Sequence, residues 1–169
     1  MAPKNVVTNV SSKTLRSSKK PQWNVERGMI GPMHEAGHAL VAWKQGRLIR
    51  ENGVSVTPCG LGGNVHVHPL IRPNEIQSLG DLSFALVERE IELCLAGPVA
   101  EAIYLGSRLN GRVIGFDGPR GDNTFASELA STRYSKGLDC YVQFEMQRRV
   151  ARKFRRPEVW SALMELAET

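Results

Sequence analysis

Apolar residues change their spacing several times along the chain, and each change marks an element. Between residues 28 and 45, Ala36, Ala39, Leu40, Val41 and Trp43 supply apolar surface at helical spacing. Pro32 suits a first turn and Gly46 ends the run, so a helix over 28–45 is predicted. "VSVTP" and "NVHVHP" then alternate with period two on either side of "CGLGG", which predicts a β-hairpin between about Val54 and His68. The helical pattern returns from Asp81 to Leu105, with Ser78 and Asp81 in capping-box spacing and Gly106 as the stop. Pro98 is expected to kink or split that helix. Gly106, Gly111, Gly115, Gly118, Pro119 and Gly121 predict a loop over 106–121. Three further helices follow: "DNTFASELASTRYSKG" closing at Gly137, "DCYVQFEMQRRVARKFRR" closing at Pro157, and "PEVWSALMELAE" with proline at its first position. The expected class is α+β, mainly α, with a small antiparallel β-element.

A chain of 169 residues, 41% of them hydrophobic, is long enough for one domain with its own core. Its first 20 residues carry Lys4, Lys13, Arg16, Lys19 and Lys20 and no acid, so residues 1–24 are expected to be a disordered basic tail before a domain at 25–169. The tail lacks the apolar core of a secretory signal, although an organelle-targeting peptide shares its composition. Cys59, Cys94 and Cys140 are odd in number and form no Cys-x-x-Cys pair, which suits a reducing compartment. Cytoplasmic localisation is the expectation, with an organelle as the alternative. The stretch from Leu93 to Leu105 is broken by Gly97, Pro98 and Glu101, so no membrane span of about 20 residues is expected.

The net charge of +5 comes largely from the tail and from "RRVARKFRR", Arg148 to Arg156. Both could attract anions. On a helix, however, Val150, Ala151 and Phe154 define a buried face and leave the basic residues on solvated sides, so nucleic acid is not the expected partner.

The chemistry begins at "PMHEAGHALVAW", residues 32–43. His34 and His38 lie at i and i+4, nearly one above the other on a helix, and can aim both imidazoles at one metal ion. Glu35 is offset around the helix, where it can take a proton from water rather than bind metal. Zinc is the expected cofactor, because it lowers the pKa of bound water to about 7 and polarises a carbonyl. Two buried histidines around a buried glutamate would also be costly to satisfy without a metal. A catalytic zinc needs a third protein ligand. His66 and His68 share one face of the second strand, Glu101 is a carboxylate in an apolar helix, and Asp122 begins a helix after the glycine-rich loop. An aspartate there is also an ordinary N-cap. Residue chemistry alone leaves these candidates level.

Four segments in order choose among them. "HEAGHALVAW", "VSVTPCGLGGNV", "LAGPVAEAIYLG" and "GPRGDNTFASELA" together make residues 31–130 resemble the peptidase domain of the FtsH-type ATP-dependent zinc proteases. The resemblance implies a helical zincin-like peptidase domain with a small antiparallel hairpin beside the zinc helix. It also implies one zinc per chain held by His34, His38 and Asp122, with Glu35 as general base. By the same likeness the strand over 62–67, with Gly62, Gly63, Asn64 and Val65, would pair with an extended substrate main chain. Gly121 and Pro98 stand where the family usually has asparagine and arginine, and the loop before Asp122 lacks the usual threonines. No P-loop occurs in these 169 residues, and neither an ATPase domain nor a membrane anchor is expected upstream of the domain. A stand-alone, ATP-independent zinc metallopeptidase is therefore expected, acting on unfolded or peptide-sized substrates or with a separate ATPase or unfoldase as partner. The family's hexamer is not carried over, and the oligomeric state is open. The alternatives are a zinc-binding adaptor without catalysis, against which intact Glu35 argues, and a nucleic-acid-associated basic protein.

Overall fold

The computed structural model describes residues 27–57, 63–68, 70–71, 84–107 and 121–169. The expected tail, the "CGLGG" turn apart from Gly63, the Ser78–Asp81 cap and most of the 106–121 loop lie outside the described residues.

A single 3-10 turn, Arg27–Met29, leads into α1, Ile30–Lys44. Strands β1, Ile49–Val56, and β2, Gly63–Val67, form a two-stranded antiparallel sheet. Helices α2, Phe84–Tyr104, α3, Asp122–Arg133, α4, Leu138–Phe154, and α5, Pro157–Ala167, complete the domain. The protein is mainly helical with a small antiparallel sheet, as its periodicity predicts. No helix among the described residues is long and apolar enough to cross a membrane.

Helix α2 is the central element and packs on α1, α3 and α4, while α1 also meets α5 and both strands. The α1–α2 contact is close because its residues are small. A Cβ on Gly37 would stand 2.6 Å from the Ala96 carbonyl oxygen and 2.9 Å from the Ala100 Cβ. Around this seam, Met33, Leu40, Val99, Phe154 and Leu163 form one apolar cluster, and Val87, Ile91, Leu95, Leu129 and Met146 form a second. Removal of such side chains from water is the main stabilising term of a domain this size.

Four boundaries differ from expectation. β1 starts at Ile49 rather than Val54, because its pairing with β2 is irregular: Ile49 faces Val67 while Val54 faces Val65. Gly53, at φ +49°, helps absorb the surplus residues in a conformation glycine adopts without strain. α2 runs through Pro98 as one helix, so of the two expected effects of the proline the split does not occur. α3 stops at Arg133, because Tyr134 turns extended, packs its ring 5.4 Å from that of Phe84 and donates its hydroxyl to Glu88 at 3.3 Å. Gly137, at φ +98°, is thus the N-cap of α4 and not the end of α3.

Val150, Ala151 and Phe154 are buried, as the helical pattern of the basic run requires. Arg149 pairs with Glu88 and Glu92, Lys153 with Glu92, and Arg148 with Glu145. Part of the basic run is therefore engaged within the chain and less open to an anionic partner.

Candidate metal centre

Helix α1 places His34 and His38 on the face turned to α2, with ring centroids 4.9 Å apart. The first turn of α3 brings Asp122 to the same point. Its Oδ2 lies 3.0 Å from Nε2 of His34 and 3.0 Å from Nε2 of His38, and the two nitrogens are 3.1 Å apart. Asp122 is the first helical residue and not the cap, since Gly121 occupies the N-cap. Its carboxylate is free to face the histidines.

Both rings are oriented from behind. The Nδ1–H of His38 donates to the Leu93 carbonyl oxygen at 2.8 Å, and the Nδ1–H of His34 donates to Glu101 Oε2 at 3.2 Å. A carbonyl or carboxylate oxygen only accepts, so these contacts hold each imidazole's proton on Nδ1 and turn an Nε2 lone pair inward. Two nitrogen lone pairs and a carboxylate oxygen then converge, which is favourable only with a cation or added protons between them. The three donors form a nearly equilateral triangle. An ion bound tetrahedrally at about 2.0–2.1 Å spaces its donors about 3.3–3.4 Å apart, a few tenths of an ångström more than here. Among the described residues, His34, His38 and Asp122 are the only such group close enough to hold a metal ion.

Electrostatics follow the same geometry. Burial alone would lower the pKa of His34, but its contacts with Asp122 and Glu101 prevail and raise it from 6.5 to about 9. Burial alone would raise that of Asp122, but the two histidines hold it well below the usual carboxylate range. Glu35, 5% exposed, is pushed up mainly by burial, against the pull of His38 and His34. A base shifted toward neutrality suits proton transfer better than an ordinary carboxylate.

Two glycines make room for this arrangement. A Cβ on Gly97 would collide with His38 Nε2 and with the His34 ring, and one on Gly63 would collide with the Ser55 carbonyl oxygen and Glu35 Cγ. Gly97 lets α2 back directly onto both rings; Gly63 lets β2 begin against the glutamate.

A cavity of about 260 Å³ opens beside the centre, lined by His34, Glu35, His38 and Asp122 and by Gly63, Asn64 and Val65 of β2. The expected substrate residues Gly63, Asn64 and Val65 thus adjoin the centre, while Gly62 lies outside the described residues. Of the other third-ligand candidates, Glu101 stands behind His34, and His66 and His68 do not belong to the group. Sequence reasoning noticed Glu101 as a carboxylate in an apolar helix that needs a partner, but not its orienting position. It missed the Leu93 carbonyl, for which no side chain gives a signal.

Carboxylates behind metal-binding histidines raise ligand basicity, and their loss typically weakens metal affinity about 10- to 100-fold. Glu101→Gln is expected to weaken binding of a divalent metal ion by that factor without changing the limiting stoichiometry. Titration against a chromophoric chelator measures it, and unchanged affinity would show that Glu101 does not tune the centre.

Comparisons with protein-family models, with curated proteins and with solved structures return no match.

Proposed function

We propose that this chain is a zinc metallopeptidase in which His34, His38 and Asp122 hold one ion and Glu35 is the general base. The observation that carries the reading is the convergence of two proton-oriented histidines and a carboxylate beside a buried glutamate, all on one cavity. The resemblance to the FtsH-type peptidase domain supports it, as does the packing of α1, which carries both histidines, against the two strands of a small antiparallel sheet.

Bound at this centre, zinc would supply Lewis acidity, polarising a carbonyl and acidifying water. The chain's own residues supply the rest. The Glu35 carboxylate accepts a proton from the attacking water and returns it to the leaving amine, the two half-steps of general acid–base catalysis. His34 and His38 keep their orientation because Glu101 and Leu93 fix their Nδ1 protons. Among the described residues β2 pairs only with β1, so its second edge can take an extended substrate by main-chain hydrogen bonds beside Gly63 and Asn64. Such pairing tolerates many sequences and favours unfolded or peptide-sized substrates. An unfoldase partner would extend that range to folded substrates.

Metal removal tests the reading. The zinc-loaded protein should hydrolyse a reduced, carboxymethylated protein substrate, lose that activity on chelation and regain it with one equivalent of zinc. Hydrolysis that survives chelation, or none at full zinc loading, would remove the peptidase assignment. The second outcome, with zinc firmly bound, would favour the non-catalytic adaptor.

A further inference from the structure

We propose that Glu90 selects the substrate side chain received beside the metal centre, favouring a long side chain that ends in N–H donors, lysine or arginine, over an apolar one. This rests on the peptidase reading and names its substrate class.

Glu90, Leu93, Cys94 and Gly97 follow one another on a single face of α2 at spacings of three and four residues. Gly97 backs the histidine rings, and Glu90 lies seven residues earlier, roughly 10 Å along the helix axis. Both ends belong to the same site, because Glu90 lines the cavity that His34, His38 and Asp122 also line. Between them on α2 lie Leu93 and the Cys94 thiol, and Val65, Val67 and Phe125 add apolar lining to the same cavity. The cavity therefore runs from the reacting centre along an apolar wall to a carboxylate. Lysine and arginine match that sequence of surfaces, since their stems lie on apolar groups and their heads seek an acceptor.

The carboxylate is built in and not incidental. Its side chain is 3% exposed, and it is held by Arg47 at 2.6 Å and by the Leu70 backbone N–H at 3.3 Å. Among the described residues both contacts fall on Oε2 and none on Oε1, which offers Oε1 to an incoming donor. Arg47 is fixed in turn by Gln45 Oε1 at 2.7 Å. Because Arg47 balances the charge, selection depends on a directed hydrogen bond and not on net attraction alone. An apolar residue at position 90 would serve packing as well as its buried neighbours Val87 and Ile91 do, and a buried ion pair is seldom a net gain in stability.

The test uses fluorescein-labelled peptides of glycine and alanine carrying one lysine, norleucine or glutamate at the same position. Binding to the zinc-loaded chain is followed by polarisation, and turnover separately by chromatography. Lysine should bind about tenfold more tightly than norleucine, the scale of one hydrogen bond to a charged group, and glutamate most weakly. Glu90→Gln should erase the lysine preference while keeping norleucine binding. Should that variant fail to fold, the wild-type ranking decides alone. Norleucine binding as tightly as lysine, or no peptide binding at all, would overturn the proposal. Ranked binding without turnover would leave the pocket assignment standing and remove the peptidase reading.

Discussion

Glu35→Gln should lower peptide turnover by about a hundred- to ten-thousandfold, the range for loss of a general base, while the chain still binds one zinc ion. Glutamine keeps the shape of the side chain and its fit against Gly63, whose missing Cβ makes room for Glu35. What it loses is the capacity to take up a proton. The metal donors are other residues, so zinc affinity should stay within a few fold of wild type. Glu35 is buried and raised in pKa mainly by that burial, so an uncharged replacement should also leave stability intact or improved. Turnover, zinc content and thermal midpoint measured on one preparation separate these effects. Undiminished hydrolysis by the variant would remove Glu35 from the mechanism.

Gly97→Ala should cost the metal centre at least a hundredfold in zinc affinity, although alanine favours a helix over glycine by about 1 kcal/mol. The new methyl would occupy the space of His38 Nε2 and the His34 ring, on the very atoms that face Asp122. Either α2 moves away from α1 or the rings rotate off their Leu93 and Glu101 acceptors. Both destroy the triangle of donors, and close packing at the Gly37 seam resists the first. Preserved helicity by circular dichroism together with lost zinc affinity is the expected signature. Affinity equal to wild type would mean that the rings do not sit against α2 as described.

The helices were legible because proline and glycine punctuate them and apolar residues repeat at helical spacing. What was not legible came from contacts distant in sequence. Nothing in "IRENG" announces a strand, since β1 gains its early start only by irregular pairing with β2 around Gly53. Nothing in "STRYSKG" ends a helix at Arg133, because Tyr134 is drawn out by Phe84 and Glu88. The metal centre divides in the same way. His34 and His38 were readable from their spacing, a local property of α1. Asp122 was not, since an aspartate at a helix start looks like a cap whether it faces a backbone amide or a pair of imidazoles. Only the family resemblance singled it out, and its Oδ2 now stands 3.0 Å from both histidine nitrogens. Glu101 was legible as a carboxylate in an apolar helix that needs a partner, but that partner lies 67 residues away and needed the fold.

His34, His38 and Asp122 should act together as one metal centre. Elemental analysis of the purified wild-type chain and of Asp122→Ala, each equilibrated with the same buffered zinc concentration, tests it most directly. One zinc per wild-type chain is expected, and a small fraction of that in the variant, because two histidines alone leave the ion without its charged donor. Equal zinc in both proteins, or none in either, would contradict it.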